Sequence, residues 1–584
     1  MLEDYCHHEQ AVGLDWYRMD PNLALLLDQL LPDPEERQLA ERHVAPFGQL
    51  VGTAIAARAE QTDKHGPVLH RYDRWGREVD RIEHSQTWLD NKADLVRAGF
   101  VDLSRLAGRP VPGVVTAARA YLVSQAETAV YCGLGMTGGA ADIVARYGPE
   151  GEKDRIVDRL TSLDPDQAWE GGMFLTERQG GSDVGANTTR AVPDGEEWRL
   201  FGEKHFCSNV DAEVFVVLAR PEGAPSGSRG LATFIVPRLL PDGQPNGFRI
   251  KRLKPKLGTV GVPTAEVALE GARAWLAGPS RPQGDAARDG RGINRMMEMV
   301  NASRFGVALM GLGIHRRCFL EAAIYAARRQ QFGRRIDSYP LVREALVDLA
   351  VELEAGMALT FECAAAARHS ADAEQTRGLR RILVPLAKVR ATRAALGAAT
   401  VALELFGGNG YMEDWPMARQ LRDAQCHTIW EGTENICCID VRRAVMADSA
   451  HLALFSRVEA VLEAAGGHKA LGPTVDAVAT TLAEARQAAS WIQSAPEELA
   501  SLQLRRFAYL LADLAEAALL AEEAAWSIDR RADGRKAVVA RRFSLGHLEP
   551  SRLRSVTEPD RSVIDLFEPL VRYGALDPEE AAAA

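Results

Sequence analysis

The chain has 584 residues, 46% hydrophobic and 26% charged, which suits a globular protein with room for several packed domains. Lys plus Arg number 69 against 80 Asp plus Glu, and the formal charge of -11 excludes a chain-wide attraction to nucleic acid or anionic membrane. Eight scattered cysteines without a C-x-x-C pair argue against a disulfide framework and a zinc site. No uncharged apolar run is long enough for a membrane span, and Met1-Leu2-Glu3-Asp4-Tyr5 has no basic, apolar leader, so the expected compartment is a reducing cytoplasm.

In chain order, residues 20–165 carry apolar residues three and four apart, as in Val114 to Val130, interrupted by a turn-rich segment from Thr62 to Glu83. This predicts an N-terminal extension and helical domain over 1–169. From 170 to 278, short apolar runs such as Val214 to Ala219 and Leu231 to Pro237 alternate with Gly, Pro, Asp and Ser turns, predicting a small antiparallel β-barrel. Helical spacing returns over 279–446, in long segments from Gly292 towards Phe332 and from Leu379 to Phe406, the second stopped by Gly407-Gly408. That predicts a helical bundle, followed over 447–584 by an additional Ala-rich helical region with an acidic tail at Asp577 to Ala584. The expected class is α+β, mainly α.

Several strings carry chemistry, each with a plain alternative. In Phe174-Leu175-Thr176-Glu177-Arg178-Gln179-Gly180-Gly181-Ser182-Asp183 an apolar segment runs into hydroxyls and glycines, a loop that can hold a flavin edge and a pyrophosphate or can be a simple turn. Tyr325 and Arg329, four apart, share a helix face, with Phe332-Gly333 closing the helix and Phe332 expected beneath the guanidinium; a solvated helix end is the other reading. Glu431, in Thr428-Ile429-Trp430-Glu431-Gly432-Thr433-Glu434-Asn435, lies between an aromatic residue and a Gly-Thr turn, which suits a base kept out of water or an exposed turn. Gly133-Leu134-Gly135-Met136-Thr137-Gly138 spells the dinucleotide pattern but follows a helical stretch, Ala117 to Tyr131, and is set aside as a decoy.

Leu175-Thr176-Glu177, Gly181-Ser182-Asp183, Tyr325 to Gly333, Phe406 to Tyr411 and Trp430-Glu431-Gly432-Thr433 stand in the order found in acyl-CoA dehydrogenases, and the chain resembles that family over roughly residues 100–446. Gly180 to Arg190 and Leu69-His70-Arg71-Tyr72-Asp73 are similar to its AidB-like branch. The resemblance implies FAD as cofactor and an acyl-CoA as substrate. It implies that Glu431 removes the α-proton while the flavin takes the β-hydride, giving a trans-2-enoyl-CoA, with the backbone N–H of Glu431 facing the enolate oxygen.

By the same resemblance Phe174, Leu175, Thr176, Gly181, Ser182, Phe206, Cys207, Ser208, Arg329, Phe332, Gly407, Gly408, Trp430, Thr433 and Asn435 contact the cofactor, and Ser182, Arg304 and Gly432 the substrate. Phe206 stands where many relatives have Trp, and Glu404 where the family usually has Gln. Ser303 occupies the position at which some relatives carry an alternative base, a role serine cannot fill. Family members contact FAD across subunits and pass electrons to an electron-transfer flavoprotein, which implies a dimer or tetramer with such a partner.

The alternative function is a flavin-bearing, DNA-associated protein with vestigial dehydrogenation. Its basis is a basic cluster of Arg530, Arg531, Arg535, Lys536, Arg541, Arg542, Arg552 and Arg554, which reads equally as a solvated helix, a subunit interface or a phosphate-binding patch. Cys437-Cys438 reads as packed thiols.

Overall fold

The structure is a computed structural model that describes residues 5–278, 292–368, 372–549 and 561–583. Helices α1 (Pro21–Leu30), α2 (Pro34–Leu50) and α3 (Ala56–Lys64) are followed by a hairpin of β1 (Val68–Tyr72) and β2 (Glu78–Glu83), then α4 (Gln86–Arg97), α5 (Leu103–Ala107), α6 (Gly113–Ala126), α7 (Thr128–Tyr147) and α8 (Lys153–Leu160). The middle of the chain holds β3 (Gly171–Phe174), β4 (Arg190–Asp194), β5 (Glu197–Ser208), β6 (Val214–Pro221), β7 (Ala232–Pro237), β8 (Phe248–Leu253) and β9 (Thr264–Leu276). Then come α9 (Gly292–Arg328), a tight hairpin of β10 (Gln330–Gln331) and β11 (Arg334–Arg335), α10 (Pro340–Ala365), α11 (Ala373–Leu405), α12 (Pro416–His427) and α13 (Glu434–Asp448). The C-terminal region adds α14 (His451–Ala465), α15 (Gly472–Ser494), α16 (Glu497–Arg531) and α17 (Arg535–His547). Among the described residues no helix is long and apolar enough to cross a membrane.

Two compact units emerge, one of residues 57–111 and 127–306, the other of 1–56, 112–126 and 307–584. Residues 1–169 therefore contribute to both.

The first unit is built on a seven-stranded sheet in the order β3-β6-β4-β5-β9-β7, with β8 on β9 and a further β6–β7 pairing. The expected antiparallel barrel is corrected to a mixed sheet, because β3 and β4 both run parallel to β6. The long connection from Phe174 to Val214 is what permits a parallel β3–β6 pair, which a tight hairpin cannot make. Phe174, Phe215, Phe234, Val217 and Val267 fill the core, and Phe174 stacks on Phe215 at 4.6 Å. The start of β3 is tied to α7, since Gly171 N donates to Thr137 Oγ1 at 3.0 Å. The Gly133 to Gly138 string lies inside α7, with no strand before it.

The second unit is helical, and its interior is stitched by charge. Glu354 of α10 accepts hydrogen bonds from Arg535 and from Lys536 of α17 (2.7 Å), while Lys536 also reaches Asn22 of α1 at 2.8 Å. Asp20 at the start of α1 accepts from Tyr121 of α6 at 2.6 Å and faces Arg316 of α9 at 3.4 Å. The N-terminal segment and α17 thus join the bundle through buried pairs. Such pairs lose several kcal/mol when one partner is removed, roughly 3–5 kcal/mol for a buried ion pair.

Candidate functional site

In the sheet-based unit the Leu175-Thr176-Glu177 segment leaves β3 and is fixed from one side by Lys204. This lysine is buried, and its Nζ donates to Glu177 Oε1 at 2.9 Å and to the carbonyl of Leu175 at 3.2 Å. Glu177 also accepts from the N–H of Thr188 (2.7 Å), the hydroxyl of Thr188 (2.8 Å) and the N–H of Thr189 (2.9 Å). Burial pushes the Glu177 carboxyl up, but the Lys204 charge and these hydrogen bonds outweigh it and hold the pKa at about 2. Asn187 Nδ2 donates to the Leu175 carbonyl at 2.8 Å, and His205 N to that of Thr176 at 2.8 Å. The rim is a fixed backbone edge.

A bulge in the β5–β9 ladder does the rest. Lys204 pairs with Val267 and Cys207 with Ala265, so His205 and Phe206 together oppose Glu266. The extra residue resets the alternation: Lys204 and Cys207 both point into the core, and Phe206, at φ 60°, is turned outward and is 61% exposed. Lys254 Nζ sits 4.6 Å from the centre of its ring. Ser208 is half-buried and its hydroxyl is 3.0 Å from that of Thr264. The side chains of Phe174 and Cys207 are core groups, so only their backbone is open to a cofactor. Leu175 and Thr176 are half-buried, Gly181 and Ser182 exposed. A flat ring lying on this edge would find an outward aromatic, a hydroxyl and backbone groups, a fit for an isoalloxazine. Arg304 of α9 is buried and donates from Nη1 to Asn301 at 3.3 Å.

In the helical unit Glu431 stands in the turn between α12 and α13. It is half-buried, with φ 54°, and is followed by Gly432 at φ 106°. A non-glycine residue in left-handed geometry costs roughly 1–2 kcal/mol, so the surroundings must impose it. Lys388 of α11 is buried and its Nζ donates to the carbonyls of Thr428 (3.2 Å) and Gly432 (2.5 Å), one on each side of Glu431. Hydrogen bonds from an ammonium contribute about 1.5–3 kcal/mol each, enough to offset the turn's strain. Trp430 is half-buried and meets His427 edge-to-face at 5.6 Å. His427 is fully buried; burial first, then the Lys388 charge, lowers its pKa to about 3, so it stays neutral. Thr433 is the N-cap residue of α13, and Cys437 Sγ donates to the Gly432 carbonyl at 3.6 Å. Asn435 is exposed and accepts from Arg505 at 2.8 Å.

At the far end of α9, Tyr325 stacks on Phe406 at 4.2 Å, its hydroxyl donates to the Phe406 carbonyl at 3.3 Å and lies 3.2 Å from Asn409 Nδ2. It thereby joins the end of α9 to the Gly407-Gly408 turn, where both glycines are exposed. Arg329 is exposed. Phe332 corrects the expectation that it packs beneath the guanidinium: it is 95% exposed at the tip of the β10–β11 hairpin. Phe332 and Gly333 have φ 51° and 84°, the positive pair that a two-residue hairpin turn requires, and this geometry projects the ring outward.

The basic C-terminal cluster is split, with Arg535, Lys536 and Arg542 buried and Arg530 and Arg531 exposed. Arg535 and Lys536 are buried on Glu354, and Arg542 is buried against Asp348 at 2.8 Å. Arg541 pairs with Glu549 at 2.5 Å, and Arg531 with Asp28. Arg552 and Arg554 lie outside the described residues.

The motifs therefore divide into a cofactor-compatible rim on one unit and a carboxylate-bearing turn on the other, and family comparisons match both. The C-terminal domain model of acyl-CoA dehydrogenases matches residues 290–446, the middle domain model residues 172–272, and the N-terminal domain model of the adaptive response protein AidB residues 7–166. A domain model of the acyl-CoA dehydrogenase 11 C-terminal domain-like type matches residues 450–561. Acyl-CoA dehydrogenase family member 11 of Caenorhabditis elegans is 34% identical over 463 residues, 76% of this chain and 73% of the relative. The chain belongs to the acyl-CoA dehydrogenase family. FAD is the cofactor of this family.

Within it, the AidB-like branch is supported by the putative acyl-CoA dehydrogenase AidB of Escherichia coli, 34% identical over 435 residues, 72% of this chain and 77% of the relative. The crystal structure of Caenorhabditis elegans ACDH-11 in complex with C11-CoA superposes with a TM-score of 0.85 at 30% identity, covering 92% of both chains. Glu431, the Leu175 to Ser182 rim and the aromatic at 206 stand in motifs of the sequence, whereas Lys204 and Lys388, which hold the rim and the turn, lie outside every motif singled out. A signal existed for the second: Lys388 interrupts the otherwise apolar run Leu383 to Val389, where a solvated lysine has no place.

Proposed function

We propose that this chain is an FAD-dependent acyl-CoA dehydrogenase in which Glu431 removes the α-proton of an acyl-CoA. Bound FAD supplies the acceptor for the β-hydride, and the product is a trans-2-enoyl-CoA. The observation that carries this reading is the Glu431 turn itself: a half-buried carboxylate beside Trp430, in a backbone geometry imposed by its surroundings. A positioned base contributes about a hundred- to ten-thousand-fold to such a proton transfer. On the other unit Leu175, Thr176, Phe206 and Ser208 hold the ring, and Ser182, Gly181 and the backbone at Phe174 and Cys207 line the same edge. Trp430, Thr433 and Asn435 are the cofactor residues of the base turn, and Arg304 and Gly432 the substrate residues.

Arg329, Phe332, Gly407 and Gly408 serve the cofactor of a second copy, so the working form is a homo-oligomer, dimer or tetramer. The exposed rings of Phe332 (95%) and Tyr411 (76%), on the turns after α9 and α11, support an interface there. An electron-transfer flavoprotein takes the electrons onward. The relative solved with C11-CoA makes acyl-CoAs of that length the first probes.

Anaerobic titration of the yellow protein with short, branched and long acyl-CoAs tests the proposal. Bleaching of the flavin absorbance with loss of two hydrogens from the acyl chain is expected for at least one class. A fully loaded protein that no acyl-CoA bleaches contradicts it.

A further inference from the structure

The turn that bears Glu431 interrupts what would otherwise be a run from α12 into α13. At such an interruption the last carbonyls of the first helix lose their partners. Thr428 is the C-cap residue of α12, and Gly432 immediately precedes the N-cap residue of α13. The carbonyls of these two residues both accept from one group, the Nζ of Lys388, at 3.2 Å and 2.5 Å. Only three residues, Ile429, Trp430 and Glu431, lie between the two points of attachment. The lysine is 1% exposed and comes from the middle of α11, a helix of 33 residues whose own packing fixes where the ammonium stands.

Within the span so clamped, Glu431 has φ 54° and Gly432 φ 106°. The glycine adopts its value freely, but a residue with a β-carbon does not adopt φ 54° unaided, so the turn at Glu431 must be held. A cation is also the right capping group for the C-terminal end of α12, where the helix presents the negative end of its dipole. Below the turn, His427 is fully buried with neither ring nitrogen hydrogen-bonded, and Trp430 packs on its edge, so that ring donates to no carbonyl of the turn.

We propose that Lys388 is the positioning residue of the reaction: by clamping the Thr428 and Gly432 carbonyls from α11 it sets the left-handed turn that aims the Glu431 carboxylate. This inference rests on the dehydrogenase reading for its kinetic consequence, but not for its structural one. Lys388→Met keeps the length and apolar stem while removing the donors, and Lys388→Arg restores a cation with donors.

Two readouts decide it. In amide hydrogen exchange of the full chain, peptides spanning 428–435 of Lys388→Met should exchange at least tenfold faster than in the unsubstituted protein, with peptides of the Leu175 to Ser208 rim unchanged. In anaerobic single-turnover mixing with acyl-CoA at equal FAD content, the limiting bleaching rate should fall at least thirtyfold while the acyl-CoA dissociation constant stays within threefold, and Lys388→Arg should recover at least a tenth of the unsubstituted rate. Unchanged exchange over 428–435, or a Lys388→Met bleaching rate within threefold of the unsubstituted protein, overturns the proposal. If Lys388→Met does not accumulate folded, Lys388→Gln, whose neutral amide ends one bond short of the ammonium and cannot bridge both carbonyls, carries the same two criteria. Should the unsubstituted protein itself not bleach, the dehydrogenase reading fails and the exchange measurement alone decides the role of Lys388.

Discussion

The rim around Leu175 and the turn around Glu431 are each held by a buried lysine, and the two lysines work differently. Lys204 meets a carboxylate, and Glu177 in turn gathers three further donors from Thr188 and Thr189. That region lies beside a β-ladder with many independent ties, so the lysine is one strut among several. Lys388 spans a break between two helices and donates to backbone carbonyls. A platform for a cofactor has to be stiff over many atoms, whereas a base has to be aimed at one, and a single clamp across a short strained turn suits the second task.

The sharpest way to break the comparison is at Lys204. Lys204→Met leaves the Glu177 carboxylate buried without its cation and should destabilise the sheet-based unit by about 3–5 kcal/mol, with most bound FAD lost; urea unfolding and the ratio of flavin to protein absorbance check both. Substitution Gly432→Ala acts on the other unit through conformation, since φ 106° excludes a β-carbon at low cost. It should destabilise by roughly 1–3 kcal/mol, and slow bleaching with little change in FAD content.

Interface residues come next. Phe332→Asp places a charge on a ring that is 95% exposed in the isolated chain, so it should leave the thermal midpoint of the chain within a few degrees but shift light scattering towards smaller species. An unchanged mass would remove Phe332 from the interface.

The smallest effect separates the regions by pH. His427 has its pKa lowered from 6.5 to about 3, so its contribution to stability is complete above pH 6.5 and is lost as pH falls from there towards 3. Glu177, lowered from 4.5 to about 2, contributes fully above pH 4.5 and loses this only as pH falls further, towards 2. Between pH 6.5 and 4.5 hydrogen exchange corrected for pH should rise in peptides around 427–435 before it rises in those around 175–189. His427→Phe should abolish that early rise.

Much of this was readable in the sequence, for identifiable reasons. Alternating apolar runs bounded by glycine and proline announced the sheet, and the Trp430-Glu431-Gly432-Thr433 string announced the turn that carries Glu431, because both signals are local in the chain. The mixed pairing was not readable: whether β3 lies parallel or antiparallel to β6 depends on the course of the long segment between them, which periodicity does not encode. The outward turn of Phe332 was missed because the two positive φ values belong to a hairpin two residues per strand, too short to leave an alternation. The basic cluster misled in a related way, since a count of charges cannot tell that Arg535 and Lys536 meet Glu354, nearly two hundred residues away in the chain.

The most direct test of the account is the single-turnover bleaching rate of Glu431→Gln set beside that of the unsubstituted protein, at matched FAD occupancy and saturating acyl-CoA without oxygen. The account predicts a flavin spectrum and acyl-CoA affinity close to those of the unsubstituted protein, with a bleaching rate lower by about a thousandfold or more, within the range a positioned general base supplies. A Glu431→Gln protein that bleaches within tenfold of the unsubstituted rate would contradict it.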